Sequence, residues 1–308
     1  MASRFAHPYL ILATVALFWG GNAVAGKLAA GHVSPMLIVL IRWSVATLLI
    51  APFAISDVRR DWAVIRPRLP YLFALGAAGF TLFNAIFYLA VTYTTAINVT
   101  IEQSAMPLVV FLANFLLFRM AVAPLQIVGF LLTLVGVALT AAHGDLTSLL
   151  RLDLNRGDAL MMIAVLLYGG YTVALRFKPA INWRAMLFVL SASALLVAIV
   201  FAVIEWALGY SQAPDWQGFT ASLYTAIFPG LLAQALYIRG VEMIGPNRAN
   251  LFINLVPIFG AALAVAIVGE DFHLYHLVAL GCVLGGILLA EHAARRSRPQ
   301  EQQTRAER

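Results

Sequence analysis

Charged residues are so rare along this chain that the stretches between them define its elements. Residues 5–26, 43–56, 69–101, 103–118, 120–144, 159–175, 185–204, 216–238, 249–269 and 274–290 contain no Asp, Glu, Lys or Arg. These runs are apolar without the every-second-residue alternation of a strand with one wet face, so the pattern is helical. A bilayer span needs about 20 apolar residues. With their flanks the runs predict ten helices at about 8–29, 34–56, 69–92, 95–118, 123–142, 157–176, 184–208, 217–239, 247–268 and 275–292. The connections carry turn chemistry, as in His32-Val33-Ser34-Pro35, Arg66-Pro67-Arg68 and Gly245-Pro246-Asn247.

Composition decides what surrounds those helices. Of 308 residues, 62% are hydrophobic and 11% charged, whereas a soluble domain carries about 25% charged residues. The solvent is therefore lipid, and a backbone in lipid must bond to itself. The expected fold is an all-α polytopic membrane protein with ten transmembrane helices, which excludes a soluble enzyme. The net charge of +6 does not signal nucleic acid, because five arginines crowd the tail (Arg295, Arg296, Arg298, Arg305 and Arg308). Basic flanks of this kind set topology. Cys282 is the single cysteine, so no internal disulfide forms and the thiol is expected to be inert. There is no GxxxxGK[ST], HExxH or GxSxG motif; no catalytic residue, metal or cofactor is expected. The first run resembles a signal peptide, with Ala23-Val24-Ala25 as a cleavage site, but Trp19, Asn22 and Lys27 argue for a mature span.

Placing the N-terminus in the cytoplasm puts fifteen Lys and Arg residues in inside loops and tail and only Arg151 and Arg156 outside. Both termini are therefore expected to be cytoplasmic.

The chain also repeats itself. At an offset of 149 residues Phe18-Trp19-Gly20-Gly21 meets Leu167-Tyr168-Gly169-Gly170; at 150, Asn84 meets Gln234, Phe87 meets Tyr237 and Pro107 meets Pro257. Each half holds five spans. Because five is odd, the second copy enters the membrane from the opposite side. The expected organisation is residues 1–145 and 146–292 as two inverted five-helix repeats, with 293–308 as a basic cytoplasmic tail. Inverted repeats characterise transporters that rock around a midplane site.

Several motifs strengthen that reading. Phe18-Trp19-Gly20-Gly21-Asn22, Ser34-Pro35 with Arg42, Met106-Pro107, Gly157-Asp158, and Val256-Pro257 through Gly269-Glu270 resemble the EamA type of the drug/metabolite transporter superfamily over residues 8–292. Within it the likeness is to the bacterial amino-acid exporter branch, including aromatic amino-acid exporters. The resemblance implies an export protein of the bacterial cytoplasmic (inner) membrane. Its central cavity would be built from helices 1, 3, 4, 6, 8 and 9, with 5 and 10 peripheral. The family often ends helices 4 and 9 with Glu. Glu270 fits, Arg119 departs, and Glu270 is expected only to cap a loop.

Charges within the membrane default to a functional reading. Arg42 and Glu102 lie roughly 10–12 Å deep by the helical rise and are expected to pair, as a substrate or gating pair or as a static ion pair. Asn98 shares the face of Glu102, and Asn250 and Asn254 form a similar pair in helix 9. Asn22, Asn84 and Gln234 add polar groups, and Trp19, Tyr88, Tyr168, Tyr171 and Tyr237 are candidates to line the cavity. All thirteen are candidate substrate-binding residues, with interhelical hydrogen bonding or lipid anchoring as the alternative. Pro107 and Pro257 are candidate hinges, since each removes a helical hydrogen bond. Lys27, Arg176 and Glu205 are expected to snorkel or gate, and His273 and His276 to lie in a membrane-edge loop. Gly281 and Gly285 suit either a homodimer face or packing within one chain.

The function expected is a secondary exporter of amino acids or similar small metabolites by alternating access, with the lipid bilayer and the small-molecule substrate as its partners. Export of cationic drugs or sugar-linked metabolites, a channel, and a lipid-modifying membrane enzyme are the alternatives.

Overall fold

A computed structural model describes residues 7–119, 123–145 and 155–306. Ten helices among them are long and apolar enough to cross a membrane: α1 Pro8–Ala29, α2 Pro35–Arg60, α3 Trp62–Tyr93, α4 Ala96–Phe118, α5 Pro124–Ala141, α6 Arg156–Phe177, α7 Trp183–Ala207, α8 Trp216–Ile244, α9 Leu251–Val268 and α10 Leu274–Ala293. Ten crossings place the two ends of the chain on one side of the bundle. Arg4, Arg151 and Arg308, which entered the charge count, lie outside the described residues.

Local chemistry starts the helices where the turn residues stand. Proline occupies the first turn of α1, α2 and α5, where its missing N–H costs nothing. Side chains of Thr95, Asn155, Asn182 and Asp215 accept peptide N–H groups in the first turns of α4, α6, α7 and α8. Two elements outrun the sequence reading. Arg66-Pro67-Arg68 is a single tight helical turn inside α3, not a connection, so α3 starts at Trp62. The tail expected after residue 292 continues α10 as helix to Ala306.

The two five-helix halves are interleaved. α1 packs chiefly against α8 and α9 of the other half, and α6 packs in the same way against α3 and α4. α2 and α7 pair along their length, and α5 and α10 pair with each other. In that last pair Gly129 and Gly286 let the backbones touch: a Cβ on either would run into the other's carbonyl helix surface. Gly281 has nothing within 4 Å and Gly285 only Leu132, so the close packing of α10 uses Gly286 and not the GxxxG pair.

Irregular backbone recurs at matched places. α3 contains a π-helical turn at Ala77–Leu82 and α8 one at Ala226–Leu232. α4 breaks between Gln103 and Met106, and the start of α9 is wound as a 3-10 helix over Asn250–Leu255. Pro107 and Pro257 each stand in the first turn of the regular helix that follows. Such backbone inside a membrane protein is tolerated where protein or a cavity surrounds it.

The bundle end away from the termini is stitched between the halves. Ser34 donates to Glu205 at 2.5 Å, Gln212 to the Gly31 carbonyl at 2.6 Å, Gln217 to the Leu28 carbonyl at 2.9 Å, and His32 Nδ1 lies 2.6 Å from Asp215 Oδ2. Near the other end, a cavity of about 480 Å³ opens between α4 and the end of α6, lined by Val110, Asn114, Thr172, Val173, Arg176 and Lys178.

Candidate functional site

The interleaving brings α1, α2, α3, α6 and α8 around one buried cation. Arg42, 6% exposed on α2, donates from Nη1 to Asn22 Oδ1 at 2.8 Å and to Tyr88 Oη at 2.7 Å. Tyr88 in turn donates to Asn22 Oδ1 at 2.9 Å. The triangle orients the guanidinium without neutralising it. No carboxylate lies within ion-pair distance of Arg42 among the described residues, and its Nε has no partner. Gly230, in the π-turn of α8, is the backbone beside it: a Cβ there would sit 3.7 Å from Nε.

Aromatic rings pack in the same part of the bundle. The Arg42 guanidinium lies 5.3 Å from the Trp43 ring, which stacks on Phe80 at 4.5 Å, and Tyr168 joins the same group of rings through Tyr171 and Phe80. Tyr168 packs 5.4 Å from Tyr171 and 4.8 Å from Phe83, centroid to centroid. Trp19 lies 5.4 Å from Tyr237 and donates from Nε1 to the Pro229 carbonyl at 3.3 Å, a contact that uses the irregular turn of α8. Tyr171 sits over Gly79 in the matching turn of α3, where any side chain would strike its ring. Seven of the thirteen candidates (Trp19, Asn22, Arg42, Tyr88, Tyr168, Tyr171 and Tyr237) thus fall in this one region.

The other six are elsewhere or are not assembled with them. Asn84 is buried but donates to its own helix, to the Phe80 carbonyl at 2.6 Å. Gln234 is half-buried on α8. Asn254 is half-buried with its Nδ2 unpartnered. The Asn250 side chain lies outside the described residues. Asn98 and Glu102 belong to a separate cluster at the junction of α4 and α6. The expected Arg42–Glu102 ion pair does not form: similar depth does not bring two helices face to face, and α4 turns this side toward α6, α5 and α10. Pro107 is exposed and Pro257 buried, so the two hinge candidates share a backbone position and not an environment.

In the second cluster Glu102 is fully buried and neither of its oxygens has a hydrogen-bond partner. Thr94 donates to Asp158 Oδ1 at 2.5 Å. Asn98 Nδ2 lies 3.5 Å from the same oxygen. His276 is buried and not in a loop; its Nδ1 accepts the His273 peptide N–H at 3.0 Å, leaving Nε2 to donate to Asn98 Oδ1 at 3.2 Å. Asp158 and His143 are members that sequence reasoning missed as site residues. Gly157-Asp158 was visible as a motif, but nothing in spacing along the chain announced that His143 would reach it.

Glu270, Glu205 and Lys27, at the ends of the bundle, cap helices. Both carboxylate oxygens of Glu270 accept from the start of α4, Ala96 N at 2.7 Å and Ile97 N at 3.0 Å. Glu205 likewise accepts the Met36 N–H at 3.2 Å in the first turn of α2. Lys27 donates to the Val91 and Thr94 carbonyls at the end of α3, at 3.3 and 2.7 Å. Each sign suits the helix terminus it meets. Arg176 instead stacks 4.4 Å over the Phe118 ring.

Outside the spans, the peptide N–H of Asn182, followed by the Arg60 guanidinium, holds the Asp61 carboxyl below the usual carboxylate range. The Gly218 N–H and His32 do the same for Asp215.

Comparison with known proteins agrees with this fold. Residues 7–142 and 155–291 each match the model of the EamA-like transporter family. The "Uncharacterized transporter YyaM" of Bacillus subtilis (strain 168) is 22% identical over 93% of this chain and 94% of its own length. The "Uncharacterized inner membrane transporter YicL" of Salmonella typhimurium is 20% identical over 91% of this chain and 94% of its own. A solved crystal structure superposes with a TM-score of 0.63 at 20% identity, covering 94% of this chain and 98% of that one; it shares the fold.

Proposed function

The chain belongs to the EamA-like transporter family, a multi-pass membrane transporter and not an enzyme, and from that premise we propose that it exports amino acids with apolar or aromatic side chains across a bacterial cytoplasmic membrane. The observation that carries the reading is Arg42: a buried guanidinium oriented by two neutral oxygens, without an acidic partner, among aromatic rings. Burying an uncompensated cation costs several kcal/mol, and a substrate carboxylate offsets that cost by pairing with it, with bidentate geometry available to the guanidinium. Trp19, Tyr168 and Tyr237 then provide ring faces for the substrate ammonium and apolar contact for its side chain. Glu102 is not at hand to receive the ammonium. A cationic drug would meet Arg42 as a like charge, which disfavours that alternative.

Alternating access follows from the mirrored backbone. The π-turns of α3 and α8 stand beside the Arg42 region, the breaks of α4 and α9 recur at matched places, and the interleaved halves rock about the site. The closed end of the bundle is the outer one in this reading, by the excess of Lys and Arg at the opposite end.

The test is exchange in liposomes containing the full chain: labelled phenylalanine, leucine, threonine and lysine, against the corresponding amines that lack a carboxylate. Exchange of an apolar or aromatic amino acid, but not of its amine, supports the proposal. Equal transport of the amine would overturn it.

A further inference from the structure

Glu102 has no part in the Arg42 region, yet it is the most unusual ionisable group in the molecule. It is 0% exposed and both its oxygens lack partners. A carboxylate anion in that setting is stripped of water and receives no donor. The burial penalty for such a charge is large enough that a group neutralises instead. The packing seen here therefore accommodates the neutral acid.

Its surroundings supply a way in for a proton. Asp158, at the start of α6, shares Asn98 with this turn of α4, its Oδ1 lying 3.5 Å from the Asn98 amide nitrogen; it is itself 1% exposed, and its Oδ2 has no hydrogen-bond partner. That oxygen lies 3.8 Å from Nδ1 of His143, whose side chain is 45% exposed at the end of α5. His143 Nε2 is also 3.4 Å from Asn98 Nδ2, one helical turn from Glu102. An exposed imidazole at the end of α5, a buried carboxyl with a free oxygen and a fully buried carboxyl thus share one cluster.

The other titratable groups on elements packed against α4 are already engaged. Glu270, after α9, holds the Ala96 and Ile97 N–H groups. Lys27 of α1 holds carbonyls of α3. On α10, His276 is bonded to Asn98 and to the His273 peptide, and Tyr275 stacks on His273 and His276. Asp145, on the turn after α5, is exposed.

We propose that Glu102, reached through His143 and Asp158, is a proton-binding site that couples conformational change in this transporter to a proton gradient. The inference rests on the transporter reading but not on the identity of the substrate. One proton binds a Glu102 carboxylate oxygen in the conformation described. When α4 rearranges and water reaches the group, the O–H bond ionises and the proton leaves to that face, so one positive charge crosses per cycle.

The mechanical link is local. The break in α4 begins two residues past Glu102, and Thr100, on another side of the same turn, fills the space beside Gly260 of α9. Ionising Glu102 disfavours this packing by the cost of a lone buried charge. It therefore shifts α4, and with it the contact to the mirrored helix α9, toward the conformation that hydrates the carboxylate.

Infrared spectroscopy of the full chain in lipid tests the site with the proton itself as probe. At neutral pH the carbonyl stretch of a protonated carboxylic acid should be present, shift in heavy water, and vanish in Glu102→Gln. A spectrum without that band, or an identical band in Glu102→Gln, overturns the proposal. If Glu102→Gln does not fold, Glu102→Asp, which keeps an ionisable group, should move the band; an unmoved band overturns the proposal equally. Coupling is read with a pH dye trapped in liposomes while a labelled amino acid from the exchange panel is added. Proton movement that accompanies exchange and is lost in Glu102→Gln supports the proposal. Exchange with no proton movement overturns it and leaves the transporter reading standing. If no amino acid is exchanged, the substrate assignment fails and the infrared result alone decides the site.

Discussion

Arg42 and Glu102 lie at nearly the same distance along their helices, seven residues past Pro35 and six past Ala96, and the protein treats them in opposite ways. Arg42 keeps two hydrogen bonds to neutral oxygens and has aromatic neighbours. The Glu102 carboxyl keeps no hydrogen bond. A guanidinium cannot shed its proton, so a buried one without a counter-ion is a standing demand for an anion. A carboxyl sheds its charge by taking up a proton. Equal depth in the membrane therefore produces two different ligand chemistries, because one side chain can neutralise itself and the other cannot.

That contrast is most directly broken at Arg42. Arg42→Gln should reduce exchange of a carboxylate substrate about 100-fold, the size expected when one member of a buried charge pair is removed. Arg42→Lys should not restore full activity, because an ammonium lacks the planar fork. Exchange within about threefold of the unaltered protein in both variants would show that no carboxylate binds there.

Gly260→Val strikes the link between the two mirrored helices. A Cβ at this position would meet Thr100, and overpacking of this kind costs about 1–3 kcal/mol. Thermal unfolding in detergent should show the loss, and Thr100→Ala should relieve part of it. A loss untouched by Thr100→Ala would break the contact between α4 and α9 on which the coupling argument depends.

Removing one charge at Glu270 is a smaller change. Glu270→Gln leaves a hydrogen-bonding group but no charge at the start of α4, a difference of about 0.3–2 kcal/mol, read again by thermal unfolding. An unaltered midpoint would mean the charge contributes nothing beyond the hydrogen bonding that Gln keeps.

A double-mutant cycle then sharpens the comparison itself. Because Arg42 and Glu102 do not meet, the stability losses of Arg42→Gln and Glu102→Gln should add to within about 0.5 kcal/mol. A larger coupling would restore the direct pair that the fold denies.

The smallest effect is expected at the closed end. Asp215 titrates below the usual carboxylate range because the Gly218 N–H and His32 favour its charged form. A depressed carboxyl contributes stability above its unfolded value and loses it as pH falls through the folded one. The difference in unfolding midpoint between the protein and Asp215→Asn should therefore be present at neutral pH and shrink below about pH 4. A difference that grows on acidification would remove Asp215 from the stitching.

Much of this architecture was legible along the chain. Charge-free runs located ten spans because lipid makes every buried charge costly wherever it stands, and the offset of about 150 residues exposed the mirrored prolines. The Arg42 region was half legible: Trp19, Asn22 and Arg42 stood out as polar or aromatic residues within apolar runs. The bonds from Arg42 to Asn22 and Tyr88 were not legible, since they join three helices. The π-turns of α3 and α8 escaped notice too, although Gly79 and Pro229 stand 150 residues apart, because a widened turn leaves the hydropathy pattern unchanged.

The number of spans, their order and the places where α4 and α9 lose regularity could be read along the chain. These are one-dimensional properties, decided residue by residue by the cost of placing a group in hydrocarbon. Only the tertiary structure decided that the halves interleave, that Glu270 and Glu205 cap helices, and that Glu102 shares a cluster with Asp158 instead of Arg42. Those outcomes depend on how each helix is rotated about its axis and which helix lies beside it. In a bilayer, where lipid is as apolar as the side chains, that choice falls to close packing at small residues and to hydrogen bonds between helices. Gly20 against Gly260, Gly79 under Tyr171 and Gly129 against Gly286 are contacts of this kind, and each joins residues more than 90 positions apart.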